Sequence, residues 1–362
     1  MNELGRMIRE SIRHDGPMAL DTFMAVALGH SRHGYYMTRD PFGRAGDFIT
    51  APEISQMFGE LIGLWAAEVW SMLGEPARIN LIELGPGRGT LMSDALRAAR
   101  VSNGFCAAIE VHLVETSPVL RDAQQKILAQ AQAPVRWHTA LDDVPEGPCL
   151  VIANEFFDAL PVRHYMRAKD GWHQRVIGLD DKGELIFGLA PDSETLITAD
   201  APEGALLELS PASQLMMNAL AKRIAAGQSA ALVIDYGHVE TGFGETLQAL
   251  KNHRPADVLA SPGEADLTAH VDFAALSRAA VAAGADVQGP VTQGEFLMRL
   301  GIAQRAETLK RRATPEQAQA VDLALARLVT ERVGAAPGMG TLFKALAIAP
   351  RGGPALPGFM RG

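Results

Sequence analysis

Apolar runs of strand length alternate with segments of helical periodicity through the middle of the chain. Short runs rich in Val, Ile and Leu are separated by segments whose apolar side chains recur every three or four positions. The predicted strands are Ile79–Leu84, Val111–Glu115, Val135–His138 and Cys149–Ala153, and the predicted helices are Thr90–Arg100 and Pro118–Ala131. Strict alternation of this kind predicts a doubly wound parallel sheet, and therefore an α/β fold.

The pattern changes character on both sides of this alternation. Residues 1–70 are predicted to be mainly helical, and Val162–Leu189 is predicted to form antiparallel strands. The sheet then resumes with a helix and two further strands, which are predicted at Pro211–Ala226, Ala231–Asp235 and Leu342–Ile348. The core sheet is therefore interrupted by insertions of a different type.

These shifts predict three regions. An N-terminal helical region covers 1–75, and the core covers 76–239 and 331–350, with a β insertion at about 162–210. Residues 240–330 contain turn-forming residues followed by an alanine-rich segment. They are predicted to form a helical insertion. A chain of 362 residues is long enough for one extended domain or for two.

Composition excludes several classes of protein. The 362 residues are 48% hydrophobic with a formal charge of −9, so a packed core is expected and a nucleic-acid partner is not. Acidic residues in the first twenty positions disfavour a transit or signal peptide, and no apolar run reaches about 18 residues. We therefore expect a cytoplasmic protein of bacterial type without stable membrane insertion, and the pattern indicates no particular oligomeric state.

The first predicted strand leads into a loop with three glycines, Gly85, Gly87 and Gly89. Without Cβ atoms such a loop adopts unusual dihedral angles and exposes its N–H groups to a ligand at the start of a helix. The spacing G-x-G-x-G differs from the dinucleotide fingerprint G-x-G-x-x-G, which accommodates a pyrophosphate. This loop therefore suits a nucleoside ligand without phosphates, although a glycine-rich turn with no ligand is the alternative.

An acidic residue ends the next predicted strand. Glu115 follows Gly89 by 26 residues, close to the roughly 20 expected for the residue that binds a ribose in a βαβ nucleotide unit. The pairing favours S-adenosylmethionine, whose methionine part would lie over the glycines while Glu115 holds the ribose.

Acidic and aromatic residues follow the fourth predicted strand, in the segment Asn154–Pro161. Ligands of open α/β sheets bind beyond the carboxyl ends of the strands, so Glu155 and Asp158 are catalytic candidates there. Their carboxylates would orient and polarise a cationic acceptor such as a guanidinium. Phe156 and Phe157 would exclude water beside these carboxylates. The alternatives are a helix-capping Glu155 and an Asp158 that stabilises a turn.

Two further segments carry polar chemistry. Asp235 and His238 follow a predicted strand and are catalytic candidates that could face the same crevice, Asp235 ahead of His238. His238 is a candidate proton acceptor, although both residues could be structural. The stretch Asp266–Phe273 contains two acids and a histidine, but methyl transfer from a sulfonium needs no metal. We predict no metal site and a helix cap at Asp272.

Five runs resemble the MidA-like proteins, a family of class I methyltransferases related to the mitochondrial complex I assembly factor that methylates an arginine. The resemblance covers roughly residues 15–348, and the runs that carry it are Gly46–Ser55, Glu83–Thr90, Asn154–Pro161, Asp235–His238 and Asp266–Phe273. Membership implies a Rossmann-like class I fold and S-adenosylmethionine as donor. It also implies symmetric dimethylation of an arginine in a protein substrate, a homologue of a complex I subunit.

The resemblance also implies cofactor contacts, by position in the matching runs. The implied residues are Glu83, Gly85, Gly87, Gly89, Glu115, Leu141 and Asn154, with Asp47, Thr50 and Glu53 from the run that borders the same pocket. This chain departs from a relative at Ala140, where an acid could hold adenine, so backbone near Leu141 is the expected adenine contact. It also lacks the double-glutamate loop of the better-known arginine methyltransferases.

Three functions fit these residues. The leading one is a protein methyltransferase whose N-terminal helices and 240–330 segment shape an acceptor groove. A small-molecule methyltransferase would instead have a closed apolar pocket near Trp65, Phe156 and Phe157. An assembly chaperone could bind the cofactor only to stabilise its own shape, and it would function without Glu155 and Asp158.

Overall fold

The structure is a computed structural model that describes residues 2–39 and 50–359. The helices, numbered α1 to α13 in chain order, are Glu3–Asp15, Leu20–Gly29, Tyr35–Thr38, Ala51–Ile54, Gln56–Met72, Thr90–Ala99, Asn103–Ala108, Pro118–Ile127, Pro211–Ala225, Phe273–Ala282, Gln293–Arg299, Ile302–Lys310 and Pro315–Val329. A short 3₁₀ turn covers Leu141–Asp143. None of these described helices is long and apolar enough to cross a membrane.

The strands are numbered in the same way. In chain order, β1 to β18 are Met18–Ala19, Ile79–Leu84, Ile109–Val114, Val135–His138, Cys149–Asn154, Arg163–Ala168, Gly171–Leu179, Leu185–Ser193, Leu206–Leu209, Ala230–His238, Gln248–Lys251, Arg254–Ala256, Asp266–Thr268, Val271–Asp272, Ala285–Thr292, Arg332–Val333, Ala336–Pro337 and Phe343–Pro350.

The chain forms two compact units. The first contains the described residues up to 39, together with Asp158–Leu215 and Glu240–His270. The second contains residues 50–157, Met216–Val239 and residues 271–359. These divisions differ from the sequence-based ones, because α5 and most of the predicted 240–330 insertion belong to the unit that carries the central sheet.

The central sheet of the second unit has the order β15-β18-β10-β5-β2-β3-β4, with β14 beside the end of β10. The strands from β10 to β4 are parallel, and β18 is antiparallel to both of its neighbours. The predicted α/β fold with a mainly parallel sheet is confirmed. Parallel strands buried on both faces need near-continuous apolar runs, which is why the sequence pattern identified them.

The edge strand β15 was not predicted. Its sequence has no continuous apolar run and includes Pro290, and its register with β18 shifts between Gln288 and Val291. An edge strand tolerates proline and irregular pairing because one of its sides has no partner strand. The predicted helical insertion therefore contains a strand of the central sheet.

Helix α5 packs closely against α6 on one face of this sheet. A Cβ atom placed on Gly63 would lie 2.2 Å from the carbonyl oxygen of Ala95 in α6, so only glycine fits there. The buried carboxylate of Glu60, also in α5, forms ion pairs with Arg97 and Arg305. Helix α6 begins directly after the glycine loop, so this packing holds the end of that loop in place.

The first unit has two small antiparallel sheets. One has the order β1-β7-β6-β9 with β8 also on β7, and the other has the order β12-β11-β13. The predicted antiparallel strands are confirmed at β6, β7 and β8. Helix α1 buries Leu4, Ile8 and Ile12, which recur every four residues and so share one face.

Candidate active site

The glycine loop follows β2 as predicted. Gly85, Gly87 and Gly89 have φ values of +61°, +54° and +87°, which lie in the left-handed region that favours glycine. A Cβ atom on Gly85 would lie 3.0 Å from Cδ2 of Phe156. The loop therefore leaves a bare cradle of backbone at the amino end of α6.

Glu53 holds this loop from α4. Its Oε1 accepts a hydrogen bond of 2.6 Å from the Thr90 hydroxyl, and its Oε2 lies 3.8 Å from Nη1 of Arg88. Thr50 is buried and directly precedes α4. Asp47, the remaining residue predicted from this run, lies outside the described residues.

Two carboxylates lie on neighbouring strands beside the loop. Glu115 directly follows β3, and its Oε1 accepts a 2.8 Å hydrogen bond from the N–H of Ser117. Burial raises the pKa of Glu115, and it raises the pKa of Glu83 in β2 to about 8, with repulsion from Glu115 as the second cause. The strand pairing thus brings together two residues that were predicted separately.

Two buried oxygens at this sheet edge have no hydrogen-bond partner within the parts of the chain that are described. They are Oε2 of Glu83 and Oδ1 of Asn154, at the ends of the adjacent strands β2 and β5. Burying a polar atom without a partner is costly, and such atoms commonly mark a ligand position.

Glu155 lies just beyond β5 in a strained conformation. Its φ of +50° is uncommon for a residue with a side chain, and its Oε1 accepts hydrogen bonds from the N–H of Ala51 at 3.0 Å and from Nδ2 of Asn154 at 3.3 Å. Strain of this kind persists where surrounding contacts enforce it, and it is concentrated at functional sites.

Asp235 supports the same turn through the backbone. Its fully buried carboxylate accepts hydrogen bonds from the N–H groups of Phe156 at 3.1 Å, Phe157 at 2.9 Å and Tyr236 at 2.9 Å. These contacts describe a residue that positions the Glu155 turn, whereas the sequence predicted a catalytic role.

Asp158 belongs to the first unit, so the structure assigns Glu155 and Asp158 to different units. In the first unit the hydroxyl of Tyr36 donates a 2.8 Å hydrogen bond to Oδ1 of Asp266. Burial raises the pKa of Tyr36 well above its ordinary value, and the charges of Asp266 and Asp158 raise it further. Asp158 thus shares its surroundings with a tyrosine and an acid that the sequence analysis did not combine with it.

His238 ends β10 opposite Asp272. The two residues are register partners, and Nε2 of His238 lies 4.0 Å from Oδ2 of Asp272. Asp272 also accepts a 2.8 Å hydrogen bond from the N–H of Ala275, which confirms the predicted cap of α10. Within residues 2–39 and 50–359, no three His, Cys, Asp or Glu residues are arranged to hold a metal.

Leu141 is buried at the start of the 3₁₀ turn. The preceding N–H of Ala140 donates a 3.0 Å hydrogen bond to Oδ2 of Asp143, so this backbone donor already has an intramolecular partner. The contact that we expect between adenine and the backbone near Leu141 therefore stays a prediction. It would involve backbone groups other than the N–H of Ala140.

The glycine cradle, the acid after β3 and the parallel sheet together match one family. The sequence profile of S-adenosyl-L-methionine-dependent methyltransferases matches residues 61–291. The chain belongs to this methyltransferase family.

Curated relatives agree with this assignment. The methyltransferase is 38% identical over 328 residues to the mitochondrial protein arginine methyltransferase NDUFAF7 of Xenopus tropicalis, covering 82% of this chain and 75% of the relative. It is 38% identical to the Drosophila melanogaster homologue, over 96% of this chain and 85% of that one. The human protein is 37% identical, over 84% and 74% of the two chains.

A solved structure shares nearly the whole fold of this methyltransferase. A Burkholderia thailandensis protein crystallised with S-adenosyl-homocysteine has a TM-score of 0.86 and 30% identity, and the match covers 99% of this chain and 95% of that one. The residues present here fit S-adenosylmethionine: the bare loop leaves room for its methionine part, and the unpartnered oxygens of Glu83 and Asn154 are acceptors suited to its ammonium group.

The comparisons correct one expectation. We predicted a cytoplasmic protein, but the curated relatives of this methyltransferase are named as mitochondrial proteins, so that prediction is wrong. It rested on the acidic residues near the amino end and on the lack of a long apolar run.

Sequence reasoning missed Gln124 and Tyr36, and it did not relate Asp266 to Tyr36. Gln124 is fully buried and lies between Leu120 and Leu128 on the apolar face of α8. An amide at a core position of a helix is a signal that could have been recognised. No local pattern relates Tyr36 to Asp266, because 230 positions separate them.

Proposed function

We propose that this methyltransferase transfers the methyl group of S-adenosylmethionine to an arginine side chain of a protein substrate. The observation that carries the proposal is 38% identity, over 82% of the chain, to a relative named as a protein arginine methyltransferase. S-adenosylmethionine supplies a methyl group activated by its sulfonium. The residues of the chain supply binding, orientation and a proton acceptor.

On the cofactor side, we assign the methionine part to the cradle of Gly85, Gly87 and Gly89, and the ribose hydroxyls to Glu115. Glu83 and Asn154 would accept hydrogen bonds from the ammonium group, which supports their predicted roles. A carboxylate that accepts hydrogen bonds from a ligand is most effective when ionised. Ser117, which donates to Oε1 of Glu115, favours that form.

On the acceptor side, we assign Glu155 to orient the guanidinium. A guanidinium is a weak nucleophile, so alignment of one nitrogen with the methyl group is the main requirement. The strained backbone at Glu155 and its support by Asp235 are the features expected of a group held in one position. Asp158 stays a predicted orienting carboxylate, and its variant is part of the test below.

The reaction also releases a proton. The substrate nitrogen forms a new N–C bond as the C–S bond of the sulfonium breaks, and one proton leaves that nitrogen. We assign this proton to His238, the predicted proton acceptor, which ends β10 with its Nε2 4.0 Å from Oδ2 of Asp272. The finer proposal, which rests on the family resemblance, is symmetric dimethylation of a complex I subunit homologue.

A small-molecule acceptor has less support. That alternative required a closed apolar pocket near Trp65, yet Trp65 is 1% exposed and belongs to the core of the second unit. Its indole N–H donates a 3.2 Å hydrogen bond to the carbonyl of Pro357. Trp65 therefore has a structural role, which removes one wall of the pocket that this alternative needs.

The test is to incubate the purified protein with methyl-labelled S-adenosylmethionine and protein extract from cells that lack the gene. After acid hydrolysis, we expect the label in methylated arginine, with symmetric dimethylarginine as the final product. Label in lysine, in methyl esters or only in small molecules would contradict the proposal.

Three variants serve as controls in this assay. Gly87→Val, which fills the cradle, should abolish labelling together with cofactor binding. Glu155→Gln and Asp158→Asn should lower the rate of labelling by about tenfold or more while cofactor affinity stays close to that of the wild type. Unchanged labelling in both acidic variants would contradict their assigned roles. A wild-type protein that binds the cofactor but transfers no label would favour the chaperone alternative.

A further inference from the structure

Gln124 connects the two parts of the predicted cofactor site. It lies in α8 with a fully buried side chain. Its Nε2 donates one hydrogen bond of 2.7 Å to the carbonyl of Gly87 and another of 3.2 Å to Oε2 of Glu115. One amide therefore contacts both the loop assigned to the methionine part and the acid assigned to the ribose.

The orientation of this amide is determined by Trp137. The indole N–H of Trp137, in β4, donates a 2.9 Å hydrogen bond to Oε1 of Gln124. Since an indole can only donate, the oxygen of the amide must face Trp137, and the NH₂ group must face Gly87 and Glu115. Every hydrogen-bonding atom of the amide is thus used, and the reversed amide would place its NH₂ group against another donor.

We propose that Gln124 is a positioning residue for the cofactor, which sets the separation between the glycine loop and Glu115 and keeps Oε2 of Glu115 an acceptor. This proposal rests on the proposed role of Glu115 as the ribose contact. A buried amide with three good partners has one low-energy orientation, so it transmits the position of each partner to the other. The two halves of the cofactor would then meet groups already at the correct spacing.

The charges around Glu115 support this role. Burial and then repulsion from Glu115 raise the pKa of Glu83 in β2, and burial also raises the pKa of Glu115 itself. The Gln124 N–H and the nearby Arg121 in α8 lower it again. Replacing the amide by an apolar group of similar shape should therefore raise the pKa of Glu115 and make cofactor affinity increase with pH.

The experiment is isothermal titration of the purified protein with S-adenosyl-homocysteine between pH 6 and pH 8.5. Gln124→Met should bind about tenfold or more weakly at pH 6, and its affinity should rise more steeply with pH than that of the wild type. Gln125→Met is the matched control, because it makes the same change at the next position of α8, where the side chain is exposed. That control should bind like the wild type throughout.

A second set of variants separates this role from a merely structural one. In a Glu115→Gln background, Gln124→Met should lose most of its effect, because the two residues act through the same hydrogen bond. Equal effects in both backgrounds, or a Gln124→Met profile parallel to that of the wild type, would overturn the proposal.

Two outcomes concern folding and the underlying assignment. If Gln124→Met does not fold, Trp137→Phe provides the test, since it removes the donor that orients the amide. The Trp137→Phe variant should bind S-adenosyl-homocysteine several-fold more weakly than the wild type, with the same pH trend as expected for Gln124→Met. Unchanged binding would overturn the proposal. Glu115→Gln binding as tightly as the wild type would contradict the ribose role itself, a result distinct from any effect at Gln124.

Discussion

The two units place their buried polar groups in different ways. At the strand ends of the second unit, the acid that follows β3, Glu115, contacts Ser117 and Gln124, which are close to it in the chain. In the first unit Tyr36 and Asp266, which share a hydrogen bond, are 230 positions apart in the chain. A site at the end of a strand can therefore be predicted from local sequence patterns. A cluster of residues from distant segments of the chain cannot.

The units should also differ in what destabilises them. The second unit depends on close packing of long apolar elements, so steric changes should be most damaging there. The first unit is built from three separate segments with small sheets, so the loss of a buried polar contact should matter more. Four substitutions test this contrast.

Gly63→Ala should have the largest effect. The new Cβ would lie 2.2 Å from the carbonyl oxygen of Ala95, so α5 and α6 must move apart. We expect the free energy of unfolding, measured by urea denaturation, to fall by about 3 kcal/mol or more. Gly29→Ala is the control, because a Cβ at that helical position in the first unit meets no atom within 4 Å. Similar losses in both variants would break the comparison.

The second prediction concerns pH and His112 in β3. Burial, followed by the neighbouring His138, lowers the pKa of His112 from 6.5 to about 4. The unfolded chain therefore binds a proton between these values that the folded chain does not, so stability is complete above pH 6.5 and decreases as the pH falls towards 4. The loss should be about 2 kcal/mol at pH 5.

Urea denaturation at pH 5 and pH 7.5 checks this expectation. His112→Gln should have a much smaller pH dependence than the wild type, while His14→Gln, at an exposed position, should keep the dependence of the wild type. An unchanged dependence in His112→Gln would assign the effect to another group.

Glu208→Gln should destabilise the first unit. The carboxylate of Glu208 accepts a 2.8 Å hydrogen bond from Nε2 of His164 and a further one from the hydroxyl of Thr246. An amide can accept through only one of its two terminal atoms, so we expect a loss of about 2 kcal/mol in the free energy of unfolding. The same change at exposed Glu203 should have little effect on the free energy of unfolding. Equal losses in Glu208→Gln and Glu203→Gln would contradict the importance of buried hydrogen bonds in this unit.

Arg136→Gln should have the smallest effect, although it removes an ion pair from the sheet of the second unit. The Arg136 side chain is 65% exposed and pairs with Glu110, which is partly exposed. Exposed pairs contribute about 0–1 kcal/mol and are screened by salt. We expect a change below about 0.5 kcal/mol that vanishes in high salt, and a larger loss would show that surface charge matters more here than packing.

The sequence by itself determined the parallel core and the cofactor half of the site. Strands β2 and β5 were identified from apolar runs, and the glycine loop from residues adjacent in the chain. These features follow from local chemistry, since burial on two faces demands apolar runs and a left-handed loop demands glycine.

Only the tertiary structure decided how the remaining groups meet. It placed β15 at the edge of the central sheet, directed the carboxylate of Asp235 to the backbone of Phe156 and Phe157, and brought Gln124 onto Gly87 and Glu115. Such contacts depend on which segments pack together, and packing is a property of the whole chain. The residues adjacent to a position in the sequence therefore do not reveal its tertiary contacts.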